Sequence, residues 1–384
     1  MKILLSPMTA GGDFHPVVAA AVGLRDRGHE VLVYTEHDGT RALTESDLPV
    51  QGSPRELDFA NRLMSVHDDA KKKGGSASAE ALVEALDGYS RDMAASMHAG
   101  VVAEFQPDLF ITSLVGGGLA RELKGLTGLP TCIINSDFYI GQDPPRPLAD
   151  DFDDRCIPEI EDLAVSIQEA DLVLHAVDKH FDYDFDGLPE HNRYVGPLLW
   201  ERETMPPDYL TKPGGHWALV SISSQKQDDV RIARLALEAF ESLPVQIVET
   251  IGRGHRRKEL GPIPADVHIE HYVPHSAVLT QAEVVVTHCG IGSVHKALWY
   301  GVPMVLVPWG RDQKGVAARA ARLGAGLVLP PDDLTEERLH EAAREILDEP
   351  RFKEAALATR ERFHADEPVR TTCETIEEWF SDLG

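Results

Sequence analysis

The stretch HYVPHSAVLTQAEVVVTHCGIGSVHKALWYGVPMVLVPWGRDQ, residues 271–313, carries most of the information about the fold. It contains a short apolar strand at Val284–Val286, the turn HCGIGS and a helix. A second apolar strand at Met304–Val307 follows and runs into PWGRDQ. A strand, a helix and a second strand in this order predict a parallel βαβ unit.

The turn between strand and helix has the chemistry of an anion site. Gly290 and Gly292 let the backbone turn sharply and leave room for a ligand. The following helix then points its unpaired N–H groups and the positive end of its dipole toward that space, which favours phosphate. His288 and Ser293 add side-chain donors. A carboxylate and an amide, Asp312 and Gln313, follow the next strand and suit sugar hydroxyls.

These elements, taken in order, resemble the donor-binding signature of the family 1 glycosyltransferases. The matching parts are an aromatic-x-Pro element (Tyr272-Val273-Pro274), HCGxGS, GVP and DQ. The resemblance implies a GT-B fold, with two Rossmann-like α/β domains facing across a cleft. Lys296 stands where plant members carry a Glu, so the pattern is closer to bacterial antibiotic- and macrolide-type natural-product glycosyltransferases.

The resemblance also implies roles for individual residues. His288 and Ser293 contact the diphosphate, Tyr272 and Val273 the nucleobase, and Asp312 and Gln313 the sugar. The residues expected to bind the donor are Ser224, Tyr272, Val273, His288, Cys289, Gly290, Gly292, Ser293, Trp309, Asp312 and Gln313. No metal and no cofactor are implied, since the helix end replaces the cation and the nucleotide sugar is a co-substrate.

Two residues of the first loop, TAGGDFHPVV, compete for the role of catalytic base. Asp13 takes the motif position of the family base, as in the glycopeptide-antibiotic and sterol branches, whereas His15 has the side chain that titrates nearer neutral pH. Ser113 stands where relatives with a His base carry an orienting Asp, which favours Asp13. In an extended loop, residues two apart point the same way, so we expect both side chains to face the cleft.

Bulk properties narrow the class of protein. The chain has 384 residues and a formal net charge of -26, which indicates about two domains and argues against nucleic acid or an anionic membrane as partners. The four cysteines are far apart and predict neither disulfides nor a zinc site. The N-terminal apolar run is too short for a signal peptide, and no run is long enough to span a membrane. We therefore expect a cytoplasmic protein.

Apolar strands alternate with helices through both halves, which predicts parallel sheets covered on both faces. The predicted strands are 3–5, 31–35, 109–112, 131–134, 172–175, 217–222, 245–248, 267–269, 284–286, 304–307 and 327–329. Pro-rich residues 201–215 predict the boundary between an acceptor-binding domain, 1–205, and a donor-binding domain, 216–366. Residues 367–384 are expected to form a helix that packs back on the first domain.

Helices are predicted at 16–27, with Pro16 at the start, and within 79–105, 119–126 and 158–170.

Three further segments are interpreted as loops. The polar stretch Asp68–Glu80 is predicted to be a mobile loop. The acidic run Asp150–Asp154 is interpreted as a solvated loop rather than a metal site, and the basic run Arg253–Lys258 as a solvated loop as well.

The function predicted from the sequence is inverting transfer of a sugar from a dTDP- or UDP-sugar to a hydroxyl of a hydrophobic natural product, such as a polyketide or antibiotic. Two alternatives stay open, a GT-B nucleotide-sugar epimerase and a non-catalytic auxiliary partner of another glycosyltransferase. The expected partners are the nucleotide sugar and the small-molecule acceptor, and a homodimer is left open.

Overall fold

A computed structural model describes residues 1–9, 11–58, 76–140, 151–152, 157–183, 188–211, 214–224, 227, 229–252, 254–265 and 267–384. The chain forms two compact units. The first unit comprises residues 1–148, 154–202 and 366–384, and the second comprises 149–153 and 203–365. None of the helices in the described ranges is long and apolar enough to cross a membrane.

The first unit contains a seven-stranded sheet whose strands all run parallel, in the order β3-β2-β1-β4-β5-β6-β7. Its central strands are continuous apolar runs because both faces are covered; Ile3, Leu4 and Leu5 are fully buried. The strands are β1 (Lys2–Ser6), β2 (Glu30–Thr35), β3 (Val50–Gly52), β4 (Leu109–Ser113), β5 (Thr131–Asn135), β6 (Leu172–His175) and β7 (Asn192–Tyr194).

Helices cover both faces of this sheet, and one of them comes from the far end of the sequence. The helices of the first unit are α1 (Phe14–Asp26), α2 (His37–Ala42), α3 (Ser76–Met97), α4 (Ala103–Phe105), α5 (Gly117–Thr127), α6 (Ile157–Glu169) and α13 (Pro368–Asp382). A π-helical turn, His98–Val102, joins α3 to α4. Helix α13 packs closely on α1: a Cβ added to Gly23 would lie 2.5 Å from Val369 Cγ1 and 2.9 Å from Cys373 Sγ.

The second unit contains a six-stranded parallel sheet in the order β10-β9-β8-β11-β12-β13. Its strands are β8 (Trp217–Ser221), β9 (Gln246–Thr250), β10 (His268–Glu270), β11 (Ala282–Thr287), β12 (Met304–Leu306) and β13 (Gly326–Val328). Its helices are α7 (Val230–Ala239), α8 (His275–Leu279), α9 (Ile291–Trp299), α10 (Gln313–Arg322), α11 (Glu336–Asp348) and α12 (Pro350–Ala365).

The two doubly wound parallel sheets confirm the predicted fold class. Every predicted strand is present within one or two residues. Helix α1 begins at Phe14 rather than at Pro16, because proline is tolerated throughout a first turn whose N–H groups have no helical partner. Strands β3 and β7 and helix α2 were not predicted, since their sequences carry no apolar run.

Three loop predictions need correction or fall outside the described residues. Residues 68–75 are not described, whereas Ser76–Glu80 are not a loop but the start of α3, where the alanines favour helix. In the acidic run, Asp151 is not solvated: its carboxylate accepts a 2.6 Å bond from Nη1 of the buried Arg319. Positions 150, 153 and 154 lie outside the described residues, as does Arg253 of the basic run.

Candidate functional site

Each sheet has one point where the strand order reverses, and several of the predicted site residues follow the strands beside it. In the second sheet the reversal lies between β8 and β11, which are paired through Ser221 and Thr287. In parallel α/β sheets the crevice beyond the carboxyl ends of two such strands is the usual place for a ligand. Ser223 follows β8 at this point, and His288 follows β11.

The turn after β11 brings its backbone back into helix α9. Cys289 adopts a left-handed conformation with φ of 68°, and its N–H donates a 3.2 Å hydrogen bond to Thr287 Oγ1. Its side chain is fully buried, and the Sγ–H donates to the carbonyl of Thr287. The predicted donor-binding role of Cys289 is therefore limited to its backbone. No side chain of the described residues caps the start of α9 at Gly290.

His288 lies close to this turn and has a defined tautomer. It is buried, and its Nδ1 lies 3.1 Å from the carbonyl oxygen of Ser221, which can only accept, so Nδ1 carries a proton. A Cβ on Gly290 would lie 2.6 Å from His288 Nε2, which explains the glycine. Burial lowers the pKa of His288, and the charge of Arg311 lowers it further. The Ser221 carbonyl and Asp229 act in the opposite direction.

Four serines lie at or near the end of β8. The hydroxyls of Ser221 and Ser293 lie 3.4 Å apart, so both side chains reach the space between β8 and the start of α9. The backbone N–H of Ser223 donates to Asp229 Oδ2 at 2.7 Å and is thus engaged within the protein. Ser224, the predicted contact, is exposed next to Gly252. The sequence analysis did not single out Ser221, although a hydroxyl at the end of a strand is the available signal.

The loop PWGRDQ is ordered by the amide of Gln313. Its Oε1 accepts hydrogen bonds from the N–H groups of Trp309 at 2.8 Å and Gly310 at 3.0 Å. Its Nε2 donates to Gln227 Oε1 at 3.2 Å, and the side chain is 1% exposed. Both ends of the amide are engaged inside the protein. Asp312 and Trp309 are half-buried beside it.

The aromatic-x-Pro element lies after β10. Tyr272 is 46% exposed, whereas Val273 is buried. Pro274 precedes the short helix α8. His271 on the other side of Tyr272 is held through its Nδ1, 2.7 Å from the carbonyl oxygen of Gly252. This element therefore displays one aromatic ring on a fixed backbone.

In the first unit the two candidate bases occupy different environments. Asp13 ends a short 3-10 helix, Gly11–Asp13, that leads directly into α1, so the loop is not extended. Residues two apart in a helix point about 200° apart. Asp13 is accordingly buried, whereas His15 is exposed and meets the ring of Trp200 edge-on at 5.7 Å. The expectation that both side chains face the same way is wrong.

Asp13 has a partner that the sequence analysis missed. The Ser136 hydroxyl, one residue past β5, donates to Asp13 Oδ1 at 2.7 Å. The neighbouring Asn135 is fixed by its amide, which donates to the Phe138 carbonyl and lies 3.0 Å from His175 Nδ1. Burial lowers the pKa of His175 to about 4, so this imidazole is a neutral part of the core.

The basic run is solvated in part. Arg256, Arg257 and Lys258 are exposed, as predicted, whereas His255 is 2% exposed, with Nε2 3.5 Å from Asp229 Oδ1 and Nδ1 3.4 Å from Glu259 Oε2. Among the residues that the structure describes, no three or more His, Cys, Asp and Glu side chains are grouped to hold a metal ion.

Comparisons with known proteins agree with this geometry. Residues 234–377 match the family described as erythromycin biosynthesis protein CIII-like, C-terminal domain. The chain is 27% identical to 4'-demethylrebeccamycin synthase from Lentzea aerocolonigenes, covering 98% of this chain and 99% of that one. A crystal structure of the glycotransferase of kitacinnamycin aligns with a TM-score of 0.77 at 24% identity over 99% of both chains. The glycosyltransferase VinC in complex with dTDP aligns with a TM-score of 0.73 at 22% identity over 100% of both.

The fold, the site motifs and these relatives define a glycosyltransferase of the GT-B class. Within that class, the C-terminal part of this chain is similar to the erythromycin biosynthesis protein CIII-like C-terminal domain. The recognition made from the motifs is thereby confirmed. The roles of the individual site residues stay predictions.

Proposed function

We propose that this glycosyltransferase moves a sugar, with inversion, from a dTDP- or UDP-sugar to a hydroxyl of a hydrophobic natural product, such as a polyketide or antibiotic. One observation carries the donor class. His288, the hydroxyls of Ser221 and Ser293, and the N-terminus of α9 converge where the strand order of the second sheet reverses. Helix ends and fixed donors at such a place suit a diphosphate.

The relatives support the proposed acceptor class and the nucleotide of the donor. One is named for rebeccamycin synthesis and another for kitacinnamycin, and a third was crystallised with dTDP. The chain matches all three over nearly its full length, so we propose a natural product as the acceptor of this protein as well.

The chemistry follows from the positions of the side chains. In the proposed reaction Asp13 takes the proton of the acceptor hydroxyl, and the oxygen of that hydroxyl attacks the anomeric carbon of the sugar. The bond from that carbon to the diphosphate breaks on the opposite face, which inverts the configuration. Tyr272 stacks on the nucleobase and Asp312 accepts hydrogen bonds from the sugar. The leaving diphosphate keeps the electron pair and is stabilised by the donors around His288.

The test is product analysis with defined donors. The purified protein is incubated with dTDP- and UDP-sugars and a panel of hydrophobic aglycones, and products are detected by mass spectrometry. A glycosylated aglycone whose anomeric proton coupling shows inversion supports the proposal. An altered nucleotide sugar without a glycosylated product supports the epimerase instead. Binding of the donor with no turnover until a second glycosyltransferase is added supports the auxiliary role.

The proposal also covers the setting of the reaction. We propose that the enzyme works in the cytoplasm without a metal or a cofactor. We propose no nucleic-acid partner, because the net charge of -26 opposes binding to a polyanion. Turnover is expected to survive EDTA, and loss on chelation with rescue by magnesium would contradict metal independence. Light scattering on the purified protein decides whether two copies associate.

A further inference from the structure

Asp229 is a fully buried carboxylate between two segments that border the proposed donor site. It immediately precedes helix α7, where the helix dipole favours its negative charge. Its Oδ2 accepts a 2.7 Å hydrogen bond from the backbone N–H of Ser223 and a 3.1 Å bond from Nε2 of Gln227. Its Oδ1 lies 3.5 Å from Nε2 of His255. Asp229 therefore connects the segment after β8 with the segment after β9.

The amide of Gln227 has a single orientation that satisfies its neighbours. An ionised carboxylate can only accept, so the Gln227 atom that meets Asp229 is Nε2. The other end, Oε1, accepts from Nε2 of Gln313 at 3.2 Å and from Nη2 of Arg311 at 3.2 Å. The side chain at position 227 must donate at one end and accept at the other. An amide does this, whereas a carboxylate or an apolar side chain does not.

Gln313 extends these hydrogen bonds to a second loop. Its Oε1 accepts from the N–H groups of Trp309 and Gly310, so its Nε2 is the end that donates to Gln227. The result is a continuous series of hydrogen bonds from Asp229 through Gln227 and Gln313 to the backbone after β12. In the sheet, β11 lies between β8 and β12. The series therefore joins the two loops on either side of the strand that leads into the turn of His288.

The two loops carry different parts of the proposed donor site. The end of β8 borders the diphosphate, whereas the loop after β12 carries Asp312, the proposed contact of the sugar. The sugar is bonded to the diphosphate, so the distance between the loops decides whether both parts of the donor are held at once. A misplacement of about 1 Å can lower a rate by about 10²-fold. A fixed connection between the loops therefore matches what transfer requires.

We propose that Gln227 is a positioning residue, which holds the sugar-binding loop after β12 in place relative to the diphosphate-binding end of β8. Gln227 acts through Gln313 and Asp229 and does not itself contact the donor. The inference rests on the proposed function of the second unit as the donor site. Gln227 is 44 positions before the start of the signature segment 271–313, and no motif of the sequence includes it.

The experiment compares Gln227→Met and Gln227→Glu with the parent. Calorimetry measures binding of dTDP and of dTDP-glucose, with UDP and UDP-glucose as the second pair. Both variants should bind the nucleotide sugar about tenfold more weakly, the weight of one hydrogen bond to a charged group such as Asp312. Binding of the bare diphosphate should stay within about threefold, because Ser223 and the turn of His288 keep their own bonds. With the aglycone that the parent glycosylates, kcat should fall by about 10- to 100-fold.

Gln246→Glu is the matched control. Gln246 is exposed at the start of β9, so the same substitution adds the same charge at the edge of the sheet opposite the site. This variant should match the parent in every measurement. Gln227 is half-buried, and circular dichroism of each variant establishes that it is folded.

Coupling to Gln313 distinguishes positioning from a general structural role. In the Gln313→Ala background the series of hydrogen bonds is already broken, so Gln227→Met should have no further effect on kcat. If the two substitutions instead multiply their effects, Gln227 acts by another route and the proposal is refuted.

Three other results decide the matter. If Gln227→Glu matches the parent, the bond that Gln227 donates to Asp229 is not required and the proposal is refuted. If both variants lose binding of the bare diphosphate and of the nucleotide sugar equally, Gln227 does not position the sugar loop, and the proposal is likewise refuted while the donor site stands. If the parent binds neither nucleotide pair, the proposed function fails together with this inference.

Discussion

The hydroxyl of Ser136 donates a 2.7 Å hydrogen bond to Oδ1 of Asp13, joining residues 123 positions apart in the chain. Both follow strands of the first sheet, and Asp13 is only 8% exposed. A buried carboxylate held by a hydroxyl has a fixed orientation, which is what a base needs to meet a substrate proton at hydrogen-bond distance. We therefore predict that Ser136 positions Asp13 for this role.

This pairing gives a test of the base. Asp13→Asn keeps the shape and should lower turnover by roughly 10²- to 10⁴-fold without weakening donor binding. His15→Ala should cost less, since its exposed ring packs on Trp200. The reverse order of these two effects, measured as kcat with saturating donor, would assign the base to His15.

Ser136→Ala should lower kcat with little change in the KM of the donor, and Ser136→Thr should restore most of the activity, because only the hydroxyl is required. If Ser136 acts through Asp13, Ser136→Ala has no further effect in the Asp13→Asn background. Independent, multiplying effects of the two substitutions on kcat would show that Ser136 acts elsewhere.

Donor binding should take up a proton at His288. Its Nδ1 proton is committed to the Ser221 carbonyl, so Nε2 can donate to a phosphate only when the ring is protonated. Because burial lowers the pKa of the free ring, a bound anion must raise that pKa. By linkage, affinity for a nucleotide sugar should then increase as pH falls from the raised pKa of the bound ring toward the lowered pKa of the free ring, by up to about tenfold per pH unit.

Calorimetry in buffers of different ionisation enthalpy measures the proton directly. A nucleotide sugar is the suitable ligand, since it lacks the terminal phosphate whose own pKa is about 6. His288→Gln should abolish the uptake and weaken binding, with a loss of transition-state stabilisation of about 2.7–4 kcal/mol. Unchanged affinity and turnover in this variant would remove His288 from the diphosphate site.

Asp312 and Gln313 should respond differently, although the family signature pairs them. Asp312→Asn is expected to weaken binding of the nucleotide sugar and spare the bare nucleoside diphosphate. Gln313→Ala should weaken both, because it releases the N–H groups of Trp309 and Gly310 and the anchor at Gln227. Gln313→Glu keeps the accepting oxygen and should fall between. If Gln313→Ala weakens binding of the nucleotide sugar but not of the bare nucleoside diphosphate, the Gln313 amide binds the sugar and the prediction is wrong.

Glu249 should make the protein less stable as pH rises. It is fully buried between Val220 and Ile269 of the neighbouring strands, and neither carboxyl oxygen has a hydrogen-bond partner among the described residues. Burial raises its pKa well above the ordinary value. Above the unfolded pKa the folded state binds the extra proton, so stability falls with rising pH until the folded pKa is passed.

Glu249→Gln should therefore gain stability relative to the parent at higher pH, by up to about 1.4 kcal/mol for each pH unit above about 4.5. Denaturant unfolding at several pH values measures the difference. The exposed Glu354→Gln is the control and should show no such trend. A gap between Glu249→Gln and the parent that stays constant with pH would mean that Glu249 is ionised in the folded state.

The sequence predicted the framework because parallel strands covered on both faces must be apolar along their whole length. The edge strands Val50–Gly52 and Asn192–Tyr194 were not predicted because they are short and largely polar. The turn around His288 was also readable, since its residues are close together in sequence. What could not be read was pairing at a distance. Ser136 meets Asp13, and Gln227 meets Arg311, only after the sheets have formed.

The sequence also did not predict which side chains form contacts inside the protein. The signature assigns Gln313 to a ligand, yet its amide is engaged with its own loop. A basic run predicted to be solvated contains a histidine buried between two carboxylates. The partners of a side chain depend on which donors and acceptors the folded backbone brings near it. Composition and spacing therefore do not predict those partners.

The packing of α13 on α1 has a consequence for the order in which the molecule is made. Arg27 forms an ion pair with Glu377, 350 positions later, and Cys373 and Ile376 belong to the same core as Leu5 and Val17. During translation, the whole second unit is synthesised before the last core residues of the first unit, so the core of the first unit cannot be completed until then. Of the two units, the one whose synthesis begins first is completed last, and a nascent chain halted after Ala365 would expose the apolar surface of α1 that α13 covers.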